Sequence, residues 1–271
     1  MTNTPTQTLP HPLRLLAREL LCMPCPQQKS TLVREIEASA CAVDSQASVE
    51  PVSGIPGRPQ RPLLVHPSQL KTRAVGTLEG RAGLIHALAH IEANAINLAL
   101  DVIWRFGGMP EDFYLDWLQV AREEALHFQL LQAHLTTLGF DYGDFPAHDG
   151  LWEMAEKTRG DLLARLALVP RTLEARGLDA SPAIRNKLIS VGDRAGADIL
   201  ALILRDEIGH VSIGNHWYRH LCALQGLDHV STYATLAQRY GAPQLKGPFN
   251  MEARRAAGFD EAELTQLCEA S

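Results

Sequence analysis

Two copies of the pattern Glu-x-x-His, at 124–127 and 207–210, stand in stretches of helical period. Residues three apart share one face of a helix, so each copy directs a carboxylate and an imidazole the same way. Both copies fall within an apolar stripe, which continues through Leu131 in the first helix and Trp217 in the second. A carboxylate in a core stripe is costly unless it is paired or binds a metal. The chain is therefore expected to fold around a buried cluster of ionisable groups.

The helix before the first copy carries a matching carboxylate, because its apolar stripe is interrupted by an acidic residue only at Glu92. The helix before the second copy has weaker periodicity, so the spacing is used instead. Glu92 precedes Glu124 by 32 residues, and Glu174 precedes Glu207 by 33. The spacing predicts two helical hairpins, each with a glutamate on its first helix. Glu156 is a rival to Glu174 on the same predicted helix.

One glutamate on each of two helices and Glu-x-x-His on each of two others form the ligand set of di-iron and di-manganese carboxylate bundles. The predicted metal ligands are Glu92, Glu124, His127, Glu174, Glu207 and His210. Oxygen-rich sites with one imidazole per metal favour two iron ions, with manganese or a mixed manganese–iron pair as alternatives, whereas zinc usually takes fewer carboxylates or thiolates.

An acidic residue also precedes each motif glutamate, Glu123 in one copy and Asp206 in the other. Such carboxylates could accept the free ring N–H of a ligand histidine and set its tautomer. The alternative to a metal site is a buried ion-pair network, in which arginines pair with the core glutamates. The candidate arginines are Arg122, Arg165 and Arg205.

Glycine and proline breaks divide the remaining sequence and predict an all-α fold, a ferritin-like four-helix bundle. Its four long helices are predicted at about 81–106, 111–138, 151–176 and 194–223, with a further helical piece at 182–191. Residues 1–75 are predicted to form a helical segment and a proline-rich extended arm, residues 76–225 the bundle, and residues 226–271 a C-terminal extension packed on it. Asp260 and Glu263 resemble a capping arrangement for a short final helix.

Composition narrows the class of protein. The 271 residues are 46% hydrophobic with a formal net charge of −6, which describes a globular chain with no overall attraction for nucleic acid, although a local basic patch is not excluded. No signal peptide or membrane span is evident, so a cytoplasmic location is expected. The odd number of cysteines, five, suits a reducing compartment. Cys22 and Cys25 form a single CxxC, for which ordinary thiols are favoured over zinc or redox use.

Four segments, AHIEANAI, REEALHF, VPRTLEARGLD and LRDEIGHVSIGNHWYRHLC, resemble a bacterial family of unknown function within the ferritin-like superfamily. The resemblance runs from about Pro56 to the GFDEAEL segment near the C-terminus. The segment around Glu174 is also similar, more distantly, to the third-helix segment of the di-iron hydroxylase that modifies tRNA. The resemblance implies a di-metal bundle with the six ligands named above, and it implies no substrate.

These features lead to three hypotheses of function. The first is an oxygen-dependent di-iron oxidase or hydroxylase, which needs O₂, an electron donor and an unknown small organic substrate. The second is a ferroxidase, an iron-handling protein or a peroxide-detoxifying protein. The third is a metal-stabilised binding protein. An enzyme requires a cavity that reaches the metals from the surface. A homodimer is compatible with each hypothesis.

Overall fold

The computed structural model describes residues 11–47, 49–71 and 73–269. The described chain is mostly helical, which confirms the all-α class. Its strands are a short parallel pair, His11–Pro12 with Cys41–Ala42. Within the described ranges, no helix combines the length and the apolar character needed to cross a bilayer.

Eleven α-helices and one π-helical segment make up most of the described residues. The helices are α1 (Leu13–Cys22), α2 (Pro26–Glu35), α3 (Leu78–Arg105), α4 (Glu111–Thr137), α5 (Gly150–Lys157), α6 (Leu162–Leu168), α7 (Ala175–Ser190), α8 (Arg194–Leu224), α9 (His229–Tyr240), α10 (Met251–Ala256) and α11 (Glu261–Glu269), and the π segment is Val169–Glu174. The bounds of α3, α4 and α8 lie close to those predicted for the first, second and fourth long helices.

The long helices pack around a large apolar core. Helix α3 pairs with α4, α4 contacts α8, and α8 contacts α6, the π segment and α7. Helices α1 and α2 cover α3 and α4, while α9 and α10 pack on α6, α7 and α8. The predicted cap of the last helix is confirmed, because the backbone N–H of Glu263 donates to the Asp260 carboxylate and the backbone N–H of Asp260 donates to the Glu263 carboxylate.

The prediction of a continuous third helix at 151–176 is wrong. The break lies earlier, between α5 and α6, where the Asp161 carboxylate caps α6 by accepting the N–H of Ala164. The break predicted between Gly177 and Pro182 is absent, because α7 continues through both residues. Pro182 has no N–H for the carbonyl of Leu178, one turn back. The side-chain amide of Asn250 donates to that carbonyl instead, at 3.2 Å, so the helix tolerates the proline.

Pro170 produces the π segment. It supplies no N–H to the α-helical ladder, and the helix widens, so that the N–H of Ala175 bonds the carbonyl of Pro170 five residues back. Helix α8 approaches this segment closely at Gly214. A Cβ atom on Gly214 would lie 2.7 Å from the Cβ of Pro170. The glycine therefore permits the close packing of α8 on the segment that ends at Glu174.

A buried ion pair connects the broken third segment to α3. The Arg165 guanidinium donates to the Asp101 carboxylate at 2.5 Å, and both side chains are fully buried. Arg165 also donates to the Thr158 hydroxyl at 2.9 Å and to the Ala155 carbonyl at 2.6 Å, both at the C-terminal end of α5. Arg105 provides a second cation for Asp101. The network holds α5, α6 and α3 in a defined arrangement.

Replacement of Gly214 by alanine is expected to destabilise the fold by about 1–3 kcal/mol, because the new methyl group overpacks the contact with Pro170. Gly209→Ala is the matched control on the same helix, since Gly209 is exposed and a Cβ there meets nothing within 4 Å. The control is expected to gain up to about 1 kcal/mol from helix propensity. Urea unfolding of both variants measures the difference, and equal effects of the two would contradict the packing argument.

Asp101→Asn is expected to cost about 3–5 kcal/mol, because it leaves the buried charge of Arg165 without its main counterion. The control is Glu156→Gln, which removes the exposed partner of Arg159 at 3.8 Å and is expected to cost at most about 1 kcal/mol. Chemical denaturation at neutral pH compares the two. A small cost for Asp101→Asn would show that Arg105 and Arg165 do not depend on this carboxylate.

Candidate metal centre

The predicted ligands come from four helical segments. Glu92 lies on α3, Glu124 and His127 lie on α4, Glu174 ends the π segment, and Glu207 and His210 lie on α8. Apart from the half-buried Glu174, these side chains are buried. Residues more than a hundred positions apart in the chain thus form one cluster within the apolar core.

Glu124 stands at the centre of the cluster. Its Oε2 lies 3.3 Å from Nδ1 of His127, and its Oε1 lies 3.0 Å from Nδ1 of His210. One carboxylate thus faces both imidazoles, one with each oxygen. Glu124 therefore connects the imidazoles of the two Glu-x-x-His motifs.

Each imidazole has a further glutamate beside it. Oε2 of Glu92 lies 3.4 Å from Nδ1 of His127, and Oε2 of Glu207 lies 3.8 Å from Nδ1 of His210. Glu92, Glu124, His127 and Glu207 each offer one ligand atom within 4.8 Å of the others, a group that could hold a metal ion. Glu174 and His210 are not part of this group of four, although Nδ1 of His210 lies 3.0 Å from Glu124.

Glu174 approaches the side of the cluster that contains His210. Burial raises the pKa of its carboxyl well above the usual range, and the charges of Glu207 and Glu124 raise it further. Glu174 also lines the same cavity as Glu92 and Glu207. The rival Glu156 points elsewhere and pairs with Arg159.

The second ring nitrogen of each histidine is held by the acidic residue on the opposite helix. Nε2 of His127 donates to Asp206 on α8 at 3.1 Å, and Nε2 of His210 donates to Glu123 on α4 at 2.8 Å. An ionised carboxylate only accepts, so Nε2 carries hydrogen in both rings. In the neutral ring the lone pair then belongs to Nδ1, which faces the glutamates, and this is the tautomer that a metal ligand requires.

Unsatisfied buried atoms provide a test of whether the cluster suits a cation. Oε2 of Glu92, Oε1 of Glu124, Oε2 of Glu207 and Nδ1 of His210 lie within ion-pair distance of other groups of the cluster, but among the described residues they form no hydrogen bond of suitable geometry. Buried polar atoms are rarely left this way. Three are carboxylate oxygens and one is an imidazole nitrogen, and all are donor atoms for a hard or borderline cation. The residues present therefore fit a metal ion.

The pKa values of the cluster also indicate that its carboxylates favour a nearby positive charge. Burial, followed by the charge of Glu124, raises the pKa of Glu92 well above its usual range. Burial alone would lower the pKa of His127, but its bonds to Glu124 and Glu92 outweigh this and raise it to about 11. Protons on the imidazoles thus compensate the carboxylates, and a metal ion would compete with them for Nδ1.

Arginine does not neutralise the cluster. Within the described ranges, Glu92, Glu124 and Glu207 form no ion pair with an arginine. Arg165 pairs with Asp101, Arg205 pairs with the outward-facing oxygen of Asp206, and Arg122 is exposed. The ion-pair network considered as an alternative is not the arrangement in this structure.

A cavity of about 610 Å³ extends to the cluster. Its wall includes Glu92, Glu174 and Glu207 and is otherwise largely apolar, with Leu88, Ala95, Met154, Leu173, Ile184, Leu200 and Ile203. Ile91 and Pro243 on the wall are exposed, so the cavity is continuous with the surface. Sequence reasoning did not identify Met154 or Ser181 as part of this wall, because α5 and α7 have no strong periodicity and their positions depend on the break near Gly160.

Other polar residues on the predicted helices lie outside the cluster. His86 accepts the N–H of Gly143, and His90 bonds the Tyr142 hydroxyl. Tyr114 donates to the Phe106 carbonyl, and Tyr218 donates to the His229 carbonyl. These side chains have structural partners of their own.

Comparison with known proteins gives the family. A family model described as "Protein of unknown function (DUF455)" matches residues 22–265, most of the chain. The chain belongs to the DUF455 family. An uncharacterized protein from Haemophilus influenzae is 46% identical to it over 257 residues, which cover 90% of this chain and 89% of the relative. No solved structure matches the chain significantly. The DUF455 match includes every residue of the cluster.

Metal is expected to raise the melting temperature, because binding to the native state alone adds on the order of 3 kcal/mol when free metal is about a hundredfold above Kd. Glu124→Gln and Glu207→Gln should both lose most of this gain. Without metal, the melting temperatures of the two variants should differ. Glu124→Gln removes the acceptor shared by two imidazoles and should melt below the metal-free wild type, whereas Glu207→Gln removes a buried charge that lies beside Glu124 and should melt no lower.

Thermal melts with ferrous iron, with manganese and with chelator measure these differences. Glu153→Gln is the control, since Glu153 is exposed on the wall of the same cavity. A wild-type melting temperature that is indifferent to chelator and metal would contradict the metal site.

Proposed function

We propose that this chain is a ferritin-like di-iron carboxylate protein that uses O₂ to oxidise or hydroxylate a small organic substrate. The observation that carries the proposal is the position of Glu124, whose two oxygens face Nδ1 of two different histidines. A structural site for one ion needs one such contact. Two of them, with Glu92 beside one and Glu207 beside the other, suit a pair of ions bridged by a carboxylate.

Iron is the metal that best suits this donor set. The predicted ligands are four carboxylates and two imidazoles. Three of the carboxylates and the His127 imidazole lie within 4.8 Å of one another, and no cysteine belongs to that group. Such oxygen-rich sites favour iron or manganese over zinc. When bound, an iron pair would supply the electrons and the open coordination positions that reduction of O₂ requires.

The residues of the chain have distinct roles in this proposal. Glu92 and His127 would hold one ion, Glu174 and His210 the other, and Glu124 and Glu207 would lie between them. Asp206 and Glu123 keep each imidazole oriented through Nε2. Rigid support of this kind maintains ligand geometry while the charge of a centre changes.

The cavity favours an enzyme over an iron-storage protein. The cavity has room for a small organic molecule beside Glu92, Glu174 and Glu207, and much of its wall is apolar. Transit of iron alone requires no such apolar volume. The substrate would therefore be bound mainly by apolar contacts, with the reacting group directed to the carboxylates.

Anaerobic reconstitution with ferrous iron is expected to give about two iron ions per chain, because the proposed ligands form two donor sets. Exposure to O₂ in the presence of a metabolite extract is expected to yield an oxidised product, identified by mass spectrometry. O₂ consumption without any organic product would instead favour a ferroxidase, and absence of O₂ consumption would favour a binding protein.

A variant at the cavity mouth separates these outcomes. Ile91→Trp places a larger side chain at an exposed position on the wall, so iron content should be unchanged while product formation falls at least several-fold. Leu78→Trp is the matched control, an exposed position on the same helix that does not line the cavity. Equal product formation by both variants would count against substrate binding in this cavity.

A further inference from the structure

A second buried ionisable group lies outside the metal centre. Lys29 on α2 is only 3% exposed, and the other four lysines of the chain are exposed. Its ammonium group forms no ion pair with any carboxylate of the described residues. Lysine is almost never fully buried unless it is paired. Packing alone therefore does not explain why Lys29 is buried.

The partners of Lys29 match a neutral amine. Nζ donates to Oδ1 of Asn97 at 2.5 Å and to the carbonyl of Leu21 at 3.3 Å, and it has no third acceptor among the described residues. An ammonium group has three N–H donors, whereas an amine has two donors and a lone pair. Burial lowers the pKa of Lys29 to about 7, against a small opposing effect of Cys22 and with a further lowering by Arg58. The lone pair is thus available at neutral pH.

The amine lines a small cavity between the N-terminal segments and α3. The cavity has a volume of about 80 Å³, and its polar wall consists of Lys29, Arg58, His90, Asn94, Asn97 and Tyr142. A single water needs roughly 10–15 Å³ of such volume, so the cavity has room for about five non-hydrogen atoms or slightly more. Prolines from both N-terminal segments form much of the remaining wall, which makes the cavity rigid.

Arg58 supplies a positive charge at the same cavity. One of its nitrogens donates to Asp149 at 2.6 Å, and the side chain is 31% exposed. The other guanidinium nitrogens form no ion pair within the described ranges. A nucleophilic amine and a guanidinium group on one small cavity together match a ligand that has a carbonyl carbon and a carboxylate.

We propose that this cavity binds a small 2-oxo acid, with Arg58 taking its carboxylate and Lys29 forming an imine with its carbonyl carbon. The lone pair of Nζ attacks the carbonyl carbon, and a proton passes from nitrogen to the carbonyl oxygen to give a carbinolamine. The C–O bond then breaks, and the oxygen leaves as water with the second nitrogen-bound hydrogen. Amine and oxo acid thus give imine and water, with no change in oxidation state. This site is independent of the metal centre.

Reductive trapping tests the proposal on the full chain. The wild-type protein is treated at neutral pH with pyruvate and cyanoborohydride, and the modified lysines are located by peptide mass spectrometry. The peptide that contains Lys29 is expected to gain the mass of pyruvate less one oxygen atom, and to be labelled at least about tenfold more than the exposed lysines, which do not line this cavity. The four internal comparators are Lys71, Lys157, Lys187 and Lys246.

Two variants give the controls. Lys29→Arg keeps N–H donors at this position but cannot form an imine, so trapping there should disappear. Arg58→Gln should lower trapping of pyruvate several-fold and leave trapping of acetaldehyde, which has no carboxylate, nearly unchanged. Uniform labelling of all five lysines, or an unlabelled Lys29 in the folded protein, would overturn the proposal. An equal thermal shift with pyruvate and with propionate, without a trapped adduct, would reduce the site to simple anion binding and also overturn it.

Discussion

The structure depends on the placement of carboxylates and imidazoles inside an apolar core. Glu92, Glu124, Glu207, His127 and His210 are all buried, and charged groups taken out of water must be neutralised where they lie. Glu124 makes this arrangement possible because it faces both imidazoles at 3.3 and 3.0 Å. Its two partners lie on α4 and α8. The charges of the core are therefore balanced only when these two helices pack against each other.

Residues around the cluster hold its carboxylates and imidazoles in position. Glu123 and Asp206 each bond the histidine of the opposite helix, so the acidic residue before each motif orients the imidazole of the other motif. On the third segment, Pro170 widens the helix and Gly214 admits α8 to close contact with it. These features direct Glu174 towards Glu207 rather than to solvent. Each is a local backbone or hydrogen-bond effect that helps to position a side chain of the cluster.

Polar groups elsewhere in the core are paired with other groups of the protein. Asp101 and Arg165 form a fully buried pair that also bonds the end of α5, and the carbonyl of Leu178, which Pro182 leaves without a donor, is satisfied by Asn250. In these places the chain provides its own partner. At the acidic cluster several donor atoms form no hydrogen bond, and Lys29 bonds only neutral acceptors. Incompletely paired buried groups are where ligands are most often bound.

The sequence by itself determined the helical class, the extents of three long helices and the core positions of Glu92, Glu124, His127, Glu207 and His210, because helical periodicity records which face of a helix is buried. It did not determine the third segment, where the break predicted between Gly177 and Pro182 is absent and the chain breaks near Gly160 instead. The reason is that helix continuity there depends on Asn250, which is distant in the chain. Only the tertiary structure decided which carboxylate holds which imidazole, the shape of the cavity beside Glu174 and the isolation of Lys29, since these depend on distances between helices that no local pattern records.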